Sequence, residues 1–261
     1  MSAPATVVVH ADAALLAEAA AARLVTRLVD AQATRGRAHV VVTGGGVGTA
    51  TLKALANTPA RDAVDWSAVD VWWGDERFLP VGDPDRNETQ ARDALLDHVP
   101  LDPARVHPMP ALGEPWGDDV DAAAAAYAEE LRAAARPEER LGVPTFDVVM
   151  LGVGPDGHVA SLFPEHPALH EADRTVVGVR GSPKPPPVRI SLTMPVIRSA
   201  GEVWLLAAGA EKATAVALAL SGAGEVAVPA AGARGQRATL WLLDRSAAAK
   251  VPPALTRISS P

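Results

Sequence analysis

Short runs of β-branched and apolar residues alternate along this chain with longer stretches in which alanine and leucine recur at helical spacing. That is the pattern of strands joined by crossover helices in a mostly parallel sheet. Strands are predicted over Thr6–His10, His39–Thr43, Ala68–Trp73, Phe146–Leu151, Thr175–Val179, Val188–Leu192, Glu202–Ala207 and Ala238–Leu243. A helix is expected over Ala13–Ala33, with Asp12 as its N-cap and Gly36 just past its end, and another over Val120–Ala135 behind Asp118 or Asp119. Asp97–Trp116 carries Pro100, Pro103, Pro108, Pro110 and Pro115, and Ser182–Pro187 is rich in proline again; neither can form a helix, and both read as loops over a core. The alternation continues beyond each loop without a change in composition, so residues 1–261 are expected to form one α/β sandwich domain without internal repeats.

Composition narrows the function classes. With 48% apolar and 21% charged residues the chain falls in the globular range. No apolar run approaches the roughly 18 to 20 residues that cross a bilayer, and the N-terminus lacks a basic segment leading into an apolar one, so a cytoplasmic protein is expected. The absence of cysteine excludes disulfides, thiolate metal ligands and a cysteine nucleophile. A formal charge of −7 argues against nucleic acid or an anionic membrane as partner. An anionic substrate must therefore be met by a local basic pocket. The basic residues are overwhelmingly arginine, lysine occurring only as Lys53, Lys184, Lys212 and Lys250; a lysine within a motif is correspondingly informative.

Three segments carry candidate chemistry. In Val40–Thr49 a β-branched strand runs into glycines and then a helical stretch, which lets backbone N–H groups at a helix N-terminus face an anion. Without a following Gly-Lys-Ser/Thr it is not a Walker A loop; phosphate binding is favoured, and a tight turn with no ligand is the alternative. In Trp72–Pro80 a strand ends in Asp75, Glu76 and Arg77, at the edge where open α/β sheets bind ligands, with Arg77 offering a fork suited to phosphate. A surface cluster capping the next element is the alternative. In Phe146–Pro164, Gly152, Gly154 and Gly157 match the spacing of a dinucleotide fingerprint. The long helix that fingerprint requires is precluded by Pro164, while Pro155 stiffens the loop and Asp156 would repel a pyrophosphate. A histidine two residues after an aspartate on a glycine-bounded loop is placed as a general base instead, which singles out His158.

Two further segments add cations: Arg189 in Pro185–Thr193, and Lys212 in the first turn of a helix that follows Gly209. A lysine at a helix N-terminus opposes the helix dipole, so it suggests an anionic partner there. Other chemistries lack their residues. There is no Gly-x-Ser-x-Gly elbow, Ser161 reads as a helix-face residue, and Pro167 breaks any helix that would align His166 and His170 on a metal. No metal and no cofactor is expected.

Thr43–Gly46, Trp73–Arg77, Leu151–Pro164, Arg189–Thr193 and Gly209–Ala213 occur in an order that resembles the glucosamine-6-phosphate isomerase/6-phosphogluconolactonase family, the Gly-His-x-Ala-Ser-Leu-Phe-Pro run from Gly157 being the most specific of them. The resemblance implies a three-layer α/β fold related to glucosamine-6-phosphate deaminase and ribose-5-phosphate isomerase. It also implies hydrolysis of the sugar-phosphate lactone 6-phospho-D-glucono-1,5-lactone, with His158 as the catalytic histidine and with Arg77, the Gly44, Gly45 and Gly46 loop, Lys212 and Arg189 around the phosphate. Either Asp156 or Asp75 is expected to orient His158 or the water. The amino-sugar-phosphate deaminases of the same fold follow Gly-His-x-Ala with Phe-Asn-Glu, whereas Phe163 stands here at the position of that carboxylate. A sugar-phosphate-sensing domain of a regulator is the non-enzymatic alternative, disfavoured because the first strand begins at Thr6. No obligate protein partner is evident in the sequence.

Overall fold

The computed structural model describes residues 5–113 and 115–258; residues 1–4, on which the reading of the N-terminus rested, lie outside them. The apolar runs assemble into one seven-stranded parallel sheet, ordered β10-β1-β9-β8-β5-β2-β3. Its strands are β1 (Thr6–His10), β2 (Ala38–Val42), β3 (Val69–Trp73), β5 (Val148–Gly152), β8 (Glu202–Ala207), β9 (Ala238–Asp244) and β10 (Thr256–Ile258). β2, β3 and β8 are buried at every position, as expected of strands covered on both faces, which read as continuous rather than alternating apolar runs.

A second sheet is antiparallel and has three strands, β4 (Asp75–Arg77), β7 (Arg189–Leu192) and β6 (Val176–Val179), in the order β4-β7-β6. The predicted strands near 175 and 188 therefore form, but apart from the parallel sheet. Asp75–Arg77 is not the tail of β3, because Gly74 separates them and the three residues pair with Arg189–Ser191.

Helix α1 (Ala13–Arg35) starts where Asp12 accepts the Leu15 N–H at 2.8 Å and ends at Gly36, whose φ of 75° permits the closing bond to Gln32. Its buried residues, Leu16, Ala20, Leu24, Leu28 and Ala31 among them, fall at helical spacing on one stripe. It packs beside α2 (Gly45–Asn57) and against the parallel sheet. α4 (Val120–Ala134), capped by Asp119 rather than Asp118, packs on β6 and β7. Its Tyr127 hydroxyl accepts the Trp73 N–H and donates to the His107 carbonyl, while Trp72 stacks on His107 at 3.7 Å. These contacts fix the end of β3 that leads into β4. Three short helices, α3 (Asn87–Ala94), α5 (Met194–Ser199) and α6 (Ala213–Leu220), complete the fold. Among the described residues no helix is long and apolar enough to cross a membrane.

The order of the parallel strands contains one reversal that matters for function. From β2 the chain moves outward to β3, then returns to β5 on the other side of β2 and continues to β8 and β9. The crevice at such a switch point, beyond the carboxyl ends of the strands, is where open α/β sheets bind ligands.

Candidate active site

At that switch point the adjacent strands β2, β5 and β8 each deliver one loop to a cleft of about 250 Å³. β2 supplies Thr43, Gly44 and Gly45; β5 supplies Gly152 to Pro155 and His158; Lys212 follows β8. The antiparallel sheet closes the other side with Asp75, Arg77 and Arg189. Predicted residues from five separate segments thus meet in one place. Gly46 and Asp156 do not line the cleft: Gly46 lies one residue further into α2, and Asp156 sits beside His158.

The glycines act here through close approach. Gly44, the N-cap of α2, lies so near Asn87 that an added Cβ would stand 1.9 Å from its Oδ1, and Gly45 has φ 80°. The β2 loop is tied to β5 by the Gly152 N–H, which donates to Thr43 Oγ1 at 3.3 Å. In the β5 loop the Gly154 N–H donates to the His158 carbonyl at 3.0 Å, closing a tight turn over Pro155–Gly157. A Cβ at Gly154 would fall 2.1 Å from His158 Nδ1 and 2.5 Å from Asp156 Oδ1. The dyad occupies the space that this missing side chain leaves.

His158 Nδ1 and Asp156 Oδ1 are 2.5 Å apart. Burial by itself would raise the Asp156 carboxyl, but the hydrogen bond to His158, the charge and backbone N–H of that histidine, and the charge of Lys184 together hold it down at about 2. Asp156 is therefore a carboxylate at neutral pH, and its acceptor bond leaves Nε2 as the ring nitrogen available to a ligand. The other face of the choice is answered by Asp75. Its Oδ2 accepts from Ser161 Oγ at 2.7 Å and lies 3.9 Å from Arg189 Nη1, so Asp75 is engaged away from the imidazole. Ser161 is not on a helix; it occupies a turn after Ala160, which has φ 49°. Phe163 is fully buried with its ring centroid 4.5 Å from that of His158, so an apolar ring packs beside the imidazole.

Glu76, grouped with Asp75 and Arg77 in the sequence reading, points elsewhere. It is wholly buried and accepts the backbone N–H groups of Arg77, Asn87 and Glu88, capping the first turn of α3, with Arg86 at 3.7 Å. Burial pushes its carboxyl up to about 7 despite these donors.

Arg77, Lys184, Arg189 and Lys212 make the cleft lining strongly positive, against the single lining carboxylate of Asp75. This is the local basic pocket that an acidic chain needs for an anionic substrate. Burial lowers the Lys212 amine, with Lys184 adding to the effect and Glu211 and Asp244 opposing it, as expected of a partly desolvated ammonium beside a second cation. Arg77 donates through Nη1 to the Asp85 carbonyl at 2.6 Å and keeps a buried Nε without a partner among the described residues. Two lining residues escaped the sequence reading. Asn87 lies in no motif and reaches the site only because α3 packs against β4 and α2. Lys184 sits in the proline-rich loop, where its only signal was being a lysine in a lysine-poor chain. Among the described residues no group of His, Asp and Glu is arranged to hold a metal ion.

The family described as glucosamine-6-phosphate isomerases/6-phosphogluconolactonase matches residues 11–241. A 6-phosphogluconolactonase of Streptomyces coelicolor is 67% identical over 248 residues, covering 95% of each chain, and one of Mycobacterium leprae is 50% identical over 250 residues, covering 95% of this chain and 99% of its own. The solved structure of the 6-phosphogluconolactonase of Trypanosoma brucei superposes with a TM-score of 0.82 at 28% identity, covering 97% of this chain and all of that one. A monomeric glucosamine-6-phosphate deaminase at 20% identity and TM-score 0.76 shares the fold. The chain belongs to the glucosamine-6-phosphate isomerase/6-phosphogluconolactonase family. Within it, the relatives from Streptomyces coelicolor and Mycobacterium leprae are 6-phosphogluconolactonases.

Proposed function

We propose that this protein hydrolyses 6-phospho-D-glucono-1,5-lactone to 6-phospho-D-gluconate, with His158 as general base. The observation that carries the reading is the His158–Asp156 pair set at the mouth of β5 and facing a basic cleft. The identity to lactonases over nearly the whole chain supports the substrate.

The geometry supports the following course. Lys212, Arg77 and the N–H groups at the start of α2 hold the phosphate, and binding energy there fixes the lactone carbonyl beside His158. Asp156 accepts the Nδ1 proton and so presents Nε2 with its lone pair toward the cleft. Nε2 takes a proton from water as the water oxygen bonds to C1 and the carbonyl electrons move to its oxygen. When the tetrahedral intermediate collapses, the bond from C1 to the ring oxygen breaks and the imidazolium returns its proton to that oxygen. The new carboxylic acid then ionises. Each proton is accounted for by one histidine, and no covalent intermediate is needed. Asp75, occupied by Ser161 and Arg189, orders the wall of the cleft rather than the base.

Two assays separate this reading from the deaminase alternative. Purified protein should accelerate opening of freshly prepared 6-phosphogluconolactone above its spontaneous rate and release no ammonia from glucosamine 6-phosphate. Ammonia release without lactone hydrolysis would overturn the proposal.

A further inference from the structure

Arg189 lines the cleft, yet three of its five donors are already committed. Nε donates to the Pro186 carbonyl, and Nη2 to the carbonyls of Lys184 and Pro185, each at 3.2 Å. Nη1 faces Asp75 at 3.9 Å, and the side chain is only 6% exposed. A guanidinium spent on three backbone carbonyls of one loop has no fork left for a phosphate. The same loop is fastened from within. Ser182 Oγ donates to the Lys184 carbonyl at 2.9 Å and the Lys184 N–H donates back to that oxygen at 3.3 Å, while the Ser182 N–H donates to the Pro187 carbonyl at 3.0 Å. With Pro183, Pro185, Pro186 and Pro187 restricting the backbone, the segment holds one charged residue over the cleft, beside Pro185. That residue is Lys184. Its side chain makes no hydrogen bond or ion pair among the described residues, and its charge acts on both Asp156 and Lys212.

Resting on the lactonase reading, we infer that Lys184 is a further phosphate-binding cation of this site, and that Arg189 is a positioning residue that clamps the Lys184 loop rather than a phosphate ligand. The proline-rich segment then has a purpose: it presents an ammonium to the substrate with little ordering left to be done on binding.

Calorimetric titration with inorganic phosphate and with 6-phosphogluconate tests this without relying on turnover. Lys184→Ala should weaken both ligands by about 10-fold or more, the loss of one charge-assisted contact, and Lys184→Arg should recover most of the affinity. Arg189→Lys should weaken binding comparably, and the double variant Lys184→Ala/Arg189→Lys should be no weaker than Lys184→Ala alone, because one residue acts through the other. Phosphate affinity within about 2-fold of wild type in Lys184→Ala would overturn the assignment of Lys184. Additive losses in the double variant would return Arg189 to direct phosphate binding. If wild type binds phosphate but opens no lactone, the function proposed above fails while this inference is still decided by the titrations.

Discussion

Replacing Gly154 with alanine probes the base-positioning device with a single methyl group. The new Cβ would lie 2.1 Å from His158 Nδ1, 2.2 Å from Cε1 and 2.5 Å from Asp156 Oδ1. Ordinary carbon contacts are about 3.5 Å or longer, so the imidazole and the carboxylate must retreat by roughly 1 Å or more. Gly154 is not among the glycines with positive φ, so the backbone accepts alanine and the clash is the whole perturbation. A displacement of about 1 Å at a reacting group costs on the order of 10²-fold in rate, about 2.7 kcal/mol of barrier. Overpacking at a partly exposed loop costs about 1–3 kcal/mol of stability, which leaves the protein folded. The assay is lactone hydrolysis corrected for spontaneous opening, with thermal unfolding measured in parallel. A folded Gly154→Ala variant whose kcat stays within about 3-fold of wild type would refute the argument that the dyad's geometry carries the reaction.

Three other outcomes follow from the same structure. Asp156→Asn keeps the shape but removes the charge facing Nδ1, and kcat should fall roughly 10- to 100-fold, the worth of a charge-assisted bond; steady-state kinetics with little change in KM would agree. Lys212→Ala should raise KM for the phosphorylated lactone about 10-fold or more while lowering kcat less, and an unchanged KM would contradict its role. Glu76 gives a pH signature: its folded pKa of about 7 lies above its unfolded value of about 4.3, so between these limits the folded state holds the extra proton and stability falls as pH rises. Urea unfolding from pH 4.5 to 7.5 should show Glu76→Gln with a flatter decline than wild type, the difference approaching at most about 1.4 kcal/mol per pH unit; parallel profiles would rule this out.

The parallel sheet was legible because strands buried on both faces are written as continuous apolar runs. Glu202–Ala207 and Thr6–His10 are recovered residue for residue, and Asp12 and Gly36 bracket α1 through cap chemistry that is local to the sequence. Of the antiparallel sheet, β6 and β7 were legible as strands, but β4 and the pairing that makes them a separate sheet were not. β4 is only three residues long, and its pairing with β7 joins residues more than a hundred positions apart, which no local periodicity records. The site divides in the same way. His158, Asp156 and the glycines lie in contiguous segments whose spacing carries their chemistry. The choice of Asp156 over Asp75 at the imidazole, the diversion of Glu76 to cap α3, and the commitment of Arg189 to the carbonyls of its own loop depend on where the folded chain sends each side chain, which spacing does not record. Asn87 and Lys184 are lining residues for that reason alone.

Whether His158 is the base of a lactone hydrolase is decided by kcat for 6-phosphogluconolactone in His158→Ala. A fall of roughly 10²- to 10⁴-fold is expected in a folded protein that still binds 6-phosphogluconate. Hydrolysis at the wild-type rate in that variant would contradict it.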